Sequence, residues 1–203
     1  MPEYPGFSEM RPRVIRAAAA ATIIAWVMLA GPPPCAAKVF LTQQEALVIA
    51  FPDGPAPERI TAYLTDAQIE TVKRASGEEL PVKVITYYAG AARDGGAGDS
   101  GRRTAWFDTH LVRTMPETLM VIVSAGGVIE RVDILSFDEP TEYLPRPGWT
   151  GQFAGRGLDE KLSTRQGIHP ISGATLSARA IVSACRRVLA LRQVLQAAPG
   201  AKP

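Results

Sequence analysis

Near the end of the chain lies a run of residues suited to binding chemistry, Ser172-Gly173-Ala174-Thr175-Leu176-Ser177. The run leads directly into a predicted helix, and the first backbone N–H groups of a helix have no acceptor within it. These amides and the helix dipole favour a bound anion, and small residues allow a close approach, so the run is typical of a phosphate site. Ser and Thr also cap many helices that bind nothing, so the residues alone leave both interpretations open.

The run resembles the flavinylation motif of the FMN-binding domain family, in which SGAT is followed two places on by a hydroxyl-bearing residue. That family includes the G subunit of the Rnf electron-transport complex and the C subunit of the sodium-pumping NADH:quinone reductase. The resemblance implies that Thr175 carries FMN through a phosphodiester bond, which a flavin transferase forms outside the cytoplasm. It also implies that the rest of the run, Ser172, Gly173, Ala174, Leu176 and Ser177, lies at the cofactor.

The order of elements is also similar to that family, over about residues 104–192. A hairpin at Gly126-Gly127 is followed by an apolar strand, an acidic turn that contains Glu139, and the helix that begins with the motif. The resemblance implies that Glu139 and His169 help to bind the cofactor. The chain departs from the family at both places. His169 replaces an Asp that the family often has six places before the threonine, and the turn at residues 139–144 lacks the family's glycines.

Three further features each have two interpretations. His169 donates a hydrogen bond to the phosphate, or it lies on the surface before the helix. Residues 138–157 either cover the flavin, with Tyr143 stacked on the flavin ring, or form a connection whose aromatic residues hold it to the core. Asp108 and His110 share one face of a strand, which either faces the flavin or, as we favour, forms a solvated outer face.

Local patterns predict an α+β fold, an antiparallel β-meander with flanking helices and a C-terminal helix that carries the motif at its start. Capping boxes at Thr42 and Thr65 predict two short helices. Alternating β-formers predict strands over residues 82–87, 104–112, 119–123 and 128–135, with a glycine-rich loop at 90–101. Apolar residues at 176, 180, 184, 188, 191 and 195 predict the inward stripe of the last helix.

Composition narrows the classes of function. The charges nearly balance, with 22 basic and 20 acidic residues, which argues against a nucleic-acid partner. Two cysteines and two histidines argue against a disulfide scaffold and a His-rich metal centre, and Cys185 is expected to be buried and inert. No pair of residues has the pattern of a general acid and base, so any redox chemistry is expected to come from an organic cofactor.

The N-terminal 37 residues have the layout of a signal peptide, with arginines before an apolar run at residues 17–30. Cleavage near Lys38 is favoured over retention as a membrane anchor. The expected organisation is a signal at 1–37, a helical segment at 38–80, an FMN-binding domain at 81–197 and a tail at 198–203.

The sequence and the resemblance together predict an exported electron carrier with covalent FMN, periplasmic or on the outer face of the cytoplasmic membrane. It is expected to be matured by a flavin transferase and to exchange electrons with redox proteins or a quinone. The competing hypothesis is an exported binding or sensory module of the same fold without covalent flavin.

Overall fold

The computed structural model describes residues 38–52, 54–80, 82–90 and 102–197, and the predicted signal, most of the glycine-rich loop and the tail lie outside these ranges. The described part is a six-stranded antiparallel sheet with three α-helices, which confirms the predicted α+β class. The strands are β1 (Lys38–Val39), β2 (Glu58–Tyr63), β3 (Val84–Gly90), β4 (Arg103–Leu111), β5 (Pro116–Val123) and β6 (Ile129–Phe137). The helices are α1 (Gln43–Ala50), α2 (Asp66–Ser76) and α3 (Thr175–Ala197).

The sheet has the order β1-β6-β5-β4-β3-β2, so five consecutive strands form a meander and the short β1 closes the far edge beside β6. The predicted turn between β5 and β6 is confirmed. The N–H of Gly127 donates to the carbonyl of Ser124 over 3.0 Å, and Gly127 has a φ of +81°. A glycine adopts this left-handed conformation at little cost, which explains the residue type.

Both predicted capping boxes are present. Thr42 and Glu45 exchange hydrogen bonds at the start of α1, and Thr65 and Gln68 do the same at the start of α2. The description of residues 38–80 as helical is incomplete, because β2 lies between these helices and pairs with β3 over its whole length. Residues 38–80 thus supply both edge strands of the sheet.

The two faces of the sheet are covered by different helices. Large side chains of the central strands, among them Trp106, Leu119 and Val121, pack with α2 and α3 on one face. On the other face, the smaller α1 packs through Ala46 and Ala50. Alternation along each strand divides the apolar residues between these two cores, as expected for a sheet covered on both sides.

Helix α3 buries more of its surface than the predicted stripe. Ile181, Cys185 and Leu189 are fully or almost fully buried in addition to the predicted positions 184, 188 and 191, whereas Leu176 is 47% exposed. The prediction that Leu176 faces inward is therefore wrong. The helix lies against the sheet, the end of α2 and the connection before it, so it is buried on more than one side beyond its first turn.

The helices of the described residues include none that is both long enough and apolar enough to cross a membrane. The predicted export segment at residues 17–30 lies outside the described residues, so this finding does not bear on it.

Candidate functional site

Helix α3 begins without the capping that starts the other two helices. The first backbone bond into the helix runs from the N–H of Ala178 to the carbonyl of Ala174. Among the described residues, the amides of Thr175, Leu176 and Ser177 have no acceptor, and the hydroxyl of Thr175 has no hydrogen-bond partner. Thr175 and Leu176 are exposed. The helix start therefore offers three free N–H groups beside an exposed hydroxyl, which is the arrangement that binds phosphate.

The segment before α3 turns sharply at Gly173, whose φ is +82°. A Cβ added to Gly173 would meet nothing within 4 Å, so the backbone conformation, rather than crowding, explains the glycine. Ser172 and Gly173 are exposed, whereas Ala174 is buried and anchors the segment to the core. The turn therefore leaves open space beside Thr175.

Ser177 is directed into the protein rather than toward this space. Its side chain is almost fully buried, and its hydroxyl donates to the backbone carbonyl of Tyr143 over 2.8 Å. This bond ties a 3₁₀ turn at Thr141–Tyr143 to the first turn of α3. The hydroxyl of Ser177 thus acts as a tether in this structure, although its backbone amide still belongs to the free helix start.

The acidic turn makes a second connection, to the hairpin between β4 and β5. A carboxylate oxygen of Glu139 accepts hydrogen bonds from the backbone N–H of Thr114 at 2.8 Å and of Met115 at 3.0 Å. Arg113, in the same hairpin, lies over the ring of Tyr143, with 5.4 Å between its guanidinium carbon and the ring centroid. The structure therefore gives Glu139 a role in holding the hairpin beside the helix start, and its role at the cofactor stays a prediction.

Replacing Glu139 by Gln is expected to destabilise the fold by about 1–2 kcal/mol at neutral pH, because the charged acceptor is lost. The backbone N–H of Thr114 is the main cause that lowers the pKa of Glu139, followed by other contacts of the hairpin. A lowered carboxyl pKa contributes stability above about pH 4.5 that is lost as the pH falls through the folded-state value. The loss of unfolding free energy in E139Q, measured with urea, should be larger at pH 7 than at pH 3. An equal difference at both values would contradict this account.

His169 is fixed through its backbone. Its N–H donates to the side-chain carbonyl of Gln152 over 2.8 Å, and its carbonyl accepts from the indole N–H of Trp149 over 2.8 Å. The imidazole makes no hydrogen bond within the described residues, and the residue is exposed. This placement is that of a surface histidine.

The aromatic residues of the 138–157 segment do not all serve one purpose. Phe153 is fully buried, and its ring meets that of Trp149 edge to face at 5.4 Å. These two residues hold the connection to the core, which supports the second interpretation for this part. Tyr143 is half-buried beside the helix start, with Arg113 over its ring.

The prediction that Asp108 and His110 lie on a solvated face is wrong. They face α3, and the two ring nitrogens of His110 contact Asp108 at 2.8 Å and Glu117 at 3.0 Å. Arg187 of α3 binds the other side of Asp108 through two hydrogen bonds of 2.7 and 3.1 Å. Only 10% of the His110 side chain and none of the Glu117 side chain is exposed. These four residues, the buried charge cluster, connect the sheet to α3.

The buried charge cluster shifts the proton affinities of its members. Burial alone would lower the pKa of His110, but its hydrogen bonds to Asp108 and Glu117 outweigh burial and raise the pKa to about 9. Burial alone would raise the pKa of Asp108, but hydrogen bonds from His110 and Arg187 lower it instead. Burial raises the pKa of Glu117, whose second carboxylate oxygen has no partner in the described structure. We conclude that the imidazole is protonated at neutral pH.

Cys185 lies near this cluster as a free thiol. It is fully buried, and burial raises its pKa well above the ordinary value. The expectation that Cys185 is buried is therefore confirmed, and a thiol with a raised pKa is a poor nucleophile.

The fold and the helix start define a class of protein: an α+β domain in which an antiparallel sheet supports a helix start suited to a phosphorylated ligand. The family model for the FMN-binding domain matches residues 115–190, from the beginning of β5 to the second half of α3. The predicted resemblance to the FMN-binding domain family is thereby confirmed for this part of the chain. No curated protein and no solved structure matches the chain.

Proposed function

We propose that this protein is an exported electron carrier that holds FMN in a phosphodiester bond to Thr175. The observation that carries the proposal is the exposed hydroxyl of Thr175 beside the amides of the helix start, none of which has a partner among the described residues. They lie inside the segment that matches the FMN-binding domain. The open space beside Gly173 suits the same group. These features fit a flavin phosphate because they combine donors, partial positive charge and room.

The chemistry of attachment needs an activated flavin phosphate. The donor would be a flavin dinucleotide. The oxygen of Thr175 would bond to its flavin-side phosphorus while the pyrophosphate bond breaks. Nucleoside monophosphate leaves, and the hydroxyl proton passes to solvent. The resulting diester carries a negative charge, which the amides of Thr175, Leu176 and Ser177 stabilise. A flavin transferase outside the cytoplasm is the partner that this reaction requires.

The proposed role as a carrier follows from what surrounds the helix start. When bound, FMN supplies the redox chemistry, and the protein supplies attachment, orientation and charge. The acid and base groups of the buried charge cluster are engaged with one another and largely shielded from solvent. Electron exchange with a redox protein or a quinone therefore fits better than conversion of a small substrate.

The second candidate function is an exported binding or sensory module without covalent flavin. His169 favours it, since this residue stands where the family often has an Asp and its ring forms no hydrogen bond with the described residues. The two candidates predict different products of the same maturation reaction.

Co-expression of the full chain with a flavin transferase and export in a bacterial host tests the proposal. A denatured gel band is expected to fluoresce under ultraviolet light, with the FMN mass on the peptide that contains Thr175. The same expression without the transferase is the control. N-terminal sequencing of the exported protein is expected to begin near Lys38. A dark band in both cultures would favour the binding or sensory module, and an intact 17–30 segment would indicate an anchor.

A further inference from the structure

One arginine of α3 differs from the other three. Arg186 donates to the carbonyls of Ser76, Asp159 and Leu162, Arg187 binds Asp108, and Arg192 donates to the carbonyl of Ala125. Arg179 is exposed and, within the described residues, makes no hydrogen bond or ion pair. Three arginines thus hold α3 in place, while the fourth has no partner in the described part of the chain.

The position of Arg179 places it beside Thr175. Residues four apart on a helix lie on the same face, with about 5–6 Å between their Cβ atoms. Long helical side chains point back toward the N-terminus and over the residue four positions earlier. The guanidinium of Arg179 can therefore reach the space in front of the Thr175 hydroxyl.

The local charge makes an anion at this place favourable. The N-terminal end of a helix already carries partial positive charge, and an arginine one turn away adds a full one. One turn further along this face, Ser183 donates to a carboxylate oxygen of Glu78, which forms no ion pair with Arg179. Two positive elements therefore meet near Thr175, and among the described residues no carboxylate forms an ion pair with Arg179.

We infer that Arg179 is the phosphate-recognising side chain of the FMN site. Its planar guanidinium binds two oxygens of a phosphate ester at once, whereas the helix amides bind the same group from the backbone side. The inference rests on the proposed function for the position of the phosphate at Thr175. It adds that the chain selects a phosphorylated flavin over the same flavin without phosphate, and that Arg179 is responsible.

Binding of free FMN and free riboflavin to the full chain, purified without the transferase, tests this inference by quenching of flavin fluorescence. The unsubstituted chain is expected to bind FMN more tightly than riboflavin. The R179Q variant is expected to bind FMN about fivefold more weakly and riboflavin unchanged, an estimate for an exposed charge-assisted contact. The R179K variant should lose less of its affinity for FMN than R179Q, because lysine keeps the positive charge. Added salt should weaken FMN binding less in R179Q than in the unsubstituted chain.

The R74Q variant is the matched control, because Arg74 is an exposed arginine on α2 and should leave both affinities unchanged. Three results would overturn the inference. R179Q could keep the full preference for FMN, it could lose affinity for riboflavin as much as for FMN, or the unsubstituted chain could show no preference. A different result would refute the proposed function while leaving this inference in place. A preference that depends on Arg179, in a chain that the transferase never labels, would refute covalent attachment and uphold the role of Arg179.

Discussion

The T175V variant is expected to lose the covalent FMN completely while it keeps the fold and stability of the unsubstituted chain. Valine retains the β-branched shape and removes only the oxygen that would bond to phosphorus. In the structure, the Thr175 hydroxyl caps nothing and binds no described residue, so its removal breaks no contact. The expected cost is a few tenths of a kcal/mol from helix propensity. Intact mass after co-expression with the transferase measures the loss.

T71V is the matched control for this experiment. Thr71 is an exposed threonine on α2 whose hydroxyl donates to the carbonyl of Ala67, so the same substitution is made on another helix. The T71V protein should carry the full FMN mass increment. An increment that persists in T175V would place the flavin on another residue, and an unfolded T175V would show that Thr175 has a structural role that its exposure does not suggest.

The H110A variant is expected to be destabilised by about 3–5 kcal/mol, the largest stability effect among the substitutions considered. The imidazole is the hydrogen-bond partner of Glu117, whose side chain is fully buried, and removing it leaves that carboxylate without a counter-charge. Loss of one partner from a buried ion pair has a cost of this order. Urea unfolding followed by circular dichroism near pH 6 measures the change.

The buried charge cluster also predicts the direction of the pH dependence. The pKa of His110 is raised from 6.5 to about 9 in the folded protein, so its contribution is fully present below pH 6.5 and is lost as the pH rises through 9. The raised pKa of Glu117 acts in the same direction. The free energy of unfolding of the unsubstituted chain should therefore fall between pH 6.5 and 9.5. In H110A this fall should be much smaller.

Two further variants separate the cluster from general damage. Adding E117Q to H110A replaces the buried carboxylate by a neutral amide and should recover part of the lost stability. K73A removes an exposed ion pair with Glu79 and should change stability very little, because water screens such a pair. If H110A and K73A have equal effects, or if E117Q worsens H110A, the buried cluster does not stabilise the fold in the way described.

Local interactions account for what the sequence predicted well. Capping boxes join residues three apart, and a glycine pair sets the turn of a hairpin, so Thr42, Thr65 and Gly127 were recognisable from their neighbours alone. The helix that begins at Thr175 and the family of the surrounding domain were predicted for the same reason, because the motif is continuous in the chain. Strand β2 was not predicted, since it is a short, mostly exposed strand at the edge of the sheet and has few large apolar side chains.

The sequence by itself determined the class of fold, the helix start at Thr175 and the kind of ligand that such a start binds. Only the tertiary structure decided which polar side chains remain available there. Ser177 contacts Tyr143, Glu139 contacts Thr114, and Arg187 contacts Asp108, partners that lie 25 to 79 residues apart in the chain. Such contacts depend on how the sheet and α3 pack, which no local spacing encodes. For the same reason, only the structure shows that Arg179, unlike the other three arginines of α3, has no hydrogen-bond partner among the described residues.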